Sequence, residues 1–190
     1  MSESERATAF DVAAAIIEKR PGPDQMQLHK LLYLVQAASL AWFDEPAFTD
    51  RIEAWKYGPV VRGVIAAYQE YGNDPIKEAV DGDPSVLSER TEWIVDKIID
   101  EYGELSGLDL AALIKRSGSP WRLVRGDLSD DANSNAEITR PIMNEYHRHH
   151  GVTWVKPSPK ERRLATQAKS GDSKALDSLL EARGINAVAS

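Results

Sequence analysis

The sequence predicts a mainly α-helical protein: a compact multi-helix domain built around one apolar helix, with a short extended connector and a two-helix C-terminal appendage. Three observations lead there. Apolar residues recur with a period near that of the α-helix wherever periodicity is clear. The stretch 27–43 (QLHKLLYLVQAASLAWF) is apolar nearly all round, as a helix covered on every side must be. The periodic stretches are separated by Pro-, Gly- and Ser-rich breaks that punctuate helices.

The first helix is expected over residues 9–19, with Thr8 as N-cap and Val12, Ala15 and Ile16 as its apolar stripe. Pro21-Gly22-Pro23 stops it. The second begins near Gln25 and forms the spine, with Leu28, Leu31, Leu32, Val35, Ala38 and Trp42 at helical spacing. Its polarity is confined to His29, Gln36 and Ser39, with Lys30 and Tyr33 at the margins. Residues 46–56 lack caps and partly alternate, which suggests a short extended segment or hairpin arm. Gly58-Pro59 reads as a helix start, because Pro is pre-organised for the first helical position. That helix presents Val61, Ile65 and Tyr68 on one face and stops at Gly72.

After the Asp/Gly/Pro-rich loop 81–85, a helix over residues 89–102 buries Trp93, Val95, Ile98 and Ile99. Ser106 followed by Asp109 opens another, carrying Leu108, Leu110, Ala111, Leu113 and Ile114 and ending at Ser117-Gly118-Ser119-Pro120. A polar loop over 125–135 precedes a last helix near 140–149. Residues 1–150 form the body, and 151–190 a tail of different character. In the tail Ser158-Pro159-Lys160-Glu161 starts one helix, and Leu176, Leu179 and Leu180 are the apolar positions of a second, over 174–183. Isolated helices of that length are marginal in water, so they need a surface to dock on.

Composition narrows the function classes. The chain has no cysteine, which excludes disulfides, thiolate zinc sites and a cysteine nucleophile. Its net charge of −7 argues against a whole-domain nucleic-acid surface. From Gly151 onward seven basic residues face four acidic ones, which leaves the preceding residues with an excess of ten acidic charges. The longest apolar run, around 31–35, is too short to span a bilayer, and the acidic start MSESERATAF is no secretory signal. The cytoplasm is the expected compartment.

Two runs carry a family resemblance. Gln27-Leu28-His29-Lys30-Leu31-Leu32-Tyr33-Leu34-Val35-Gln36 and Ile52-Glu53-Ala54-Trp55-Lys56-Tyr57-Gly58-Pro59-Val60-Val61 resemble the two signatures of the Panacea domain, the antitoxin module of many bacterial and phage toxin–antitoxin pairs and of SocA-type antitoxins. Leu113-Ile114 and Ser119-Pro120-Trp121 resemble a later region of that family more loosely, since Lys115-Arg116-Ser117 stands where a threonine–histidine pair is common. The helix over 138–146 is similar to the family's last one. The resemblance spans residues 8–150 and not the tail. It implies an antitoxin that neutralises a cognate toxin protein by direct binding, with no catalytic residues and no cofactor. A minority use in the family is as an adaptor that hands the toxin to a protease. A DNA-binding autoregulator rests on the basic tail alone.

Candidate contact residues follow. Trp55 and Tyr57 either pin the connector to the core, the commoner fate of such aromatics, or rim a partner groove. Lys56 and Arg62 are better placed for exposed contacts, and Leu176, Leu179 and Leu180 are the tail's contact positions. His29, Gln36 and Ser39 form either a satisfied polar stripe or the lining of a cleft. His29 is no catalytic signal without a nucleophile motif beside it. His147, His149 and His150 lack the partner pattern of a metal site, and the acidic cluster 127–131 lacks EF-hand spacing. No phosphate-binding glycine loop is present. No catalytic residue, metal or cofactor is therefore assigned.

Overall fold

Thr8 opens the first helix, α1 (Ala9–Lys19), and its N–H and hydroxyl both donate to the Asp11 carboxylate, at 2.7 and 2.8 Å. The same carboxylate accepts the Asp83 N–H at 2.8 Å, tying the distant 81–85 loop to this helix start. The computed structural model describes residues 7–150 and, beyond them, Lys174 alone. The tail helices expected after residue 151, with Leu176, Leu179 and Leu180, lie outside the described residues.

The spine is α2 (Gln25–Phe43), capped by the Asp24 carboxylate, which accepts from the Gln27 N–H at 2.7 Å. It ends at Asp44 in the left-handed conformation, φ 58°. Every residue from Gln27 to Leu40 is buried. Four other helices explain why: α2 packs against α1, α4 (Glu89–Tyr102), α5 (Gly107–Ile114) and α7 (Arg140–His150). The five polar or marginal residues of the spine, His29, Lys30, Tyr33, Gln36 and Ser39, are therefore interior, and side-chain hydrogen bonds to neighbouring elements hold the last three. Gln36 accepts from Ala47 N at 2.7 Å and donates to Phe48 O at 2.9 Å, clamping the chain after α2. Ser39 caps Glu45 O at 2.6 Å. Tyr33 bonds His147 Nε2 of α7 across 2.9 Å, which ties the spine to the last helix. Gln27 Nε2 holds the Gly103 and Leu105 carbonyls at the α4–α5 junction. Burial of such groups is tolerated only when they are hydrogen-bonded.

Ser caps start three helices, α4 at Ser88, α5 at Ser106 and α6 (Pro120–Arg125) at Ser119. The segment Ser117–Pro120, expected only to end a helix, thus also begins one. Ser119 accepts from Arg122 N, and Pro120 stands at the first position, where its missing N–H costs nothing. Of the apolar residues that α5 carries, Leu108 is 70% exposed, whereas Leu110, Ala111 and Ile114 are interior. Gly107 lies so close to α2 that a Cβ would come within 2.8 Å of the Met26 side chain.

The extended connector is a two-stranded antiparallel hairpin, β1 (Glu53–Trp55) and β2 (Gly58–Val60), pairing Glu53 with Val60 and Trp55 with Gly58. Gly58-Pro59 is consequently not a helix start. The helix that follows, α3 (Arg62–Ala67), begins three residues later with Val61 as its cap. Among the described residues no helix is long and apolar enough to cross a membrane.

Candidate functional site

The hairpin, the start of α2, α3 and the loop 133–135 enclose a cleft of about 730 Å³. Its geometry starts from one backbone requirement. The turn residues Lys56 and Tyr57 have negative φ, and Gly58 immediately after them takes φ +110°, which redirects the returning strand. A side chain there would be strained, and its Cβ would fall 2.5 Å from Lys30 Cε. Glycine is needed because the strand lies directly on a lysine. Pro59 is acceptable in β2 because Ala54, opposite it, turns both backbone groups away: its N–H donates to Ala136 O at 2.8 Å, and its carbonyl accepts from Arg125 at 3.0 Å.

The hairpin tip is fixed from below. Trp121, fully buried at the start of α6, donates its indole N–H to Trp55 O at 2.7 Å. Arg125, at the end of α6, lies over the Trp121 ring and also donates to the carbonyls of Ser129 and Ala132, at 2.8 and 2.6 Å. One guanidinium thus binds β1 to the loop that leads into residues 133–135. Lys115 and Arg122 also lie over that ring, and burial together with these neighbouring cations lowers the pKa of Lys115.

The named contact residues converge here in part. Trp55 is half-buried, and its indole donates to Glu53 at 2.7 Å. The same carboxylate accepts from Arg62 at 2.9 Å, and Arg62 lies over the Trp55 ring. Burial works to raise the Glu53 pKa, but the hydrogen bonds from Trp55 and Arg62 and the charges of Arg62 and Arg51 outweigh it, so the group is held below the usual carboxylate range. Tyr57, which the commoner reading would put in the core, is instead 61% exposed, with Lys56 Nζ 5.2 Å from its ring centre. Lys56 is half-buried, and the Arg62 side chain is 60% exposed. These four residues all line the cleft.

The floor is made by two residues of α2. His29 is 2% exposed; its Nδ1 accepts the Val61 N–H at 3.4 Å, which leaves the proton on Nε2, an atom with no partner among the described residues. Burial, with the adjacent Lys30 charge, lowers its pKa to about 3, so the ring is neutral. Lys30 is 1% exposed, and its ammonium donates to Pro59 O at 3.2 Å. Burial, with the charge of Lys115 and against that of Asp24, lowers its pKa to about 7. No group of three or more metal-ligating side chains occurs among the described residues.

Trp55, Lys56, Tyr57 and Arg62, the contact candidates named from the sequence, line this cleft, and so does His29 but not Gln36 or Ser39. Glu53, Trp121 and Arg125, which hold those candidates, carry no local sign of that role. His29 and Lys30, which underlie them, had one, since a charged residue and a histidine interrupt an otherwise apolar helix.

The family model described as antitoxin SocA-like, Panacea domain, matches residues 28–122, half of the chain. The chain belongs to this antitoxin family. Its Panacea domain contains the floor residues His29 and Lys30, the whole hairpin, α3 and the Trp121 anchor, whereas the wall at 133–135 lies outside the matched region. No curated protein and no solved structure matches the chain.

Proposed function

We propose that the chain is an antitoxin that neutralises a cognate toxin protein by direct contact, and that the toxin seats on the hairpin face. Membership of the SocA-like antitoxin family carries the first part. The second rests on Tyr57, a large aromatic side chain exposed at a hairpin tip that is anchored through Trp121 and Glu53. Rigid aromatic residues and arginines dominate the energetics of protein interfaces, and a pre-organised one loses little entropy on binding. Tyr57 and Arg62 supply that pair, with Lys56 and Trp55 beside them. The tail residues Leu176, Leu179 and Leu180 add a second, apolar contact. Binding and occlusion account for the role without a reaction on this chain.

The test is co-expression in bacteria of the neighbouring gene product, with and without this protein. Toxicity that this protein relieves, and that returns when Tyr57 and Arg62 are both replaced by Ala, is the expected result. A neighbour harmless by itself, or equally toxic beside the soluble protein, refutes the antitoxin role. Full relief by the double variant refutes the hairpin face.

A further inference from the structure

The cleft beneath the hairpin has a charge pattern opposite to that of the body around it. The residues before the tail carry an excess of acidic charge, yet the ionisable groups lining the cleft besides Tyr57 are Lys30, Lys56, Arg62 and the neutral His29, with no carboxylate among them. Two of these lie in the floor with unused donor capacity. Among the described residues the Lys30 ammonium, which can donate three times, has one hydrogen-bond partner, and the His29 Nε2–H has none. Leaving buried donors unmatched costs free energy, and an acceptor brought into the cleft by a ligand would offset that cost.

We propose that this cleft receives an acidic–apolar peptide segment of the toxin, with an Asp or Glu carboxylate seated over Lys30 and His29. This deepens the antitoxin reading and rests on it for the partner's identity, though not for the chemistry of the site. Three features select the ligand. One buried cation beside one neutral N–H donor matches a monoanionic, two-oxygen group better than a phosphate dianion. The remaining wall is apolar and aromatic, with Met26, Val60 and Ile65 next to Trp55 and Tyr57, which suits the flanking side chains of a peptide. Carboxamides rim the cleft: Gln25, Gln69, Asn73, Asn133 and Asn135 can each donate to and accept from a peptide backbone, and Gln25 Oε1 is buried without a partner among the described residues. A free organic acid would leave that rim unused.

The experiment selects from a library of short random peptides displayed on phage, using the full chain as bait, and repeats the selection with Lys30→Met, His29→Gln and Arg62→Gln. The expected result is enrichment of peptides with Asp or Glu flanked by apolar residues. Replacing that acid by its amide should weaken binding by about tenfold or more, equivalent to ~1.4 kcal/mol. Lys30→Met, confirmed folded by circular dichroism, should abolish the preference for the acid over the amide. Arg62→Gln removes a cation at the cleft's rim together with its ion pair to Glu53, and should reduce the preference in part. No enrichment of acidic peptides, or the same preference in Lys30→Met, overturns the proposal. Tighter binding of 3-phenylpropionate or inorganic phosphate than of the selected peptide also overturns it, in favour of a free ligand. A chain that neutralises its toxin but shows no acidic preference would refute this cleft assignment alone.

Discussion

Lys30→Met tests whether the cleft floor is strained by its lysine. In the folded protein the ammonium loses its proton near pH 7, against 10.5 in the ordinary lysine, because burial penalises the charge. The folded pKa is thus the lower of the two. Below about pH 7 both states hold the proton, and the folded protein bears the full penalty. Between 7 and 10.5 the unfolded chain binds more protons, so stability from this residue rises with pH. At ~1.4 kcal/mol per pH unit the penalty is at most about 5 kcal/mol. Methionine removes it but leaves Pro59 O without its donor, at a cost of about 1–3 kcal/mol. Lys30→Met should therefore be about 2–4 kcal/mol more stable than the parent just below neutrality, combining those two terms. The gain should shrink as pH rises, reach zero at roughly pH 8–10, where the falling penalty equals the lost hydrogen bond, and become a loss of about 1–3 kcal/mol near pH 10.5, where only that lost bond remains. Urea denaturation of both proteins across this range, read by tryptophan fluorescence, gives the difference directly. The difference between parent and variant isolates Lys30 from other titrating groups. A variant less stable at neutral pH, or a gain independent of pH, would refute the argument and make Lys30 an ordinary structural donor. The same substitution is expected to weaken acidic-peptide binding, so stability and function pull in opposite directions at one residue.

Gly58→Ala should destabilise the protein by about 1–3 kcal/mol from its strained φ alone, measured by urea denaturation, and Lys30→Ala in the same chain should relieve the steric part but not the backbone part. Arg125→Met should release the loop over 126–135 from β1, seen as faster amide hydrogen exchange at Ala132 and Ala136 with α2 still protected; unchanged exchange there would remove Arg125 from its bracing role. Truncation after Lys156 should leave helix content per residue in the body intact while raising the dose of antitoxin needed to relieve toxicity; equal neutralisation by the truncated chain would exclude Leu176, Leu179 and Leu180 as contacts.

The sequence by itself determined most of the helices and their order, though not α6 or the start of α3. Local chemistry decides such features: Thr8, Ser88 and Ser106 each cap a helix from within a few residues, and the apolar circumference of residues 27–43 admits only a central position. The signatures around Lys30 and Tyr57 likewise carry the family. Tertiary structure decided what the same letters do at Gly58-Pro59. Proline suits a helix start and an edge strand alike, and the choice fell to the hairpin because Ala54 finds its hydrogen-bond partners in Ala136 and Arg125, far along the chain. Leu108 shows the same limit, since a short helix with apolar residues on several sides does not reveal which side meets α2. The cleft was the least legible feature. Lys30 and His29 gain their meaning only when β2 lies over them and α3 and the 133–135 loop close the sides. Burial and desolvation are properties of that assembled environment, and no local run of residues encodes them.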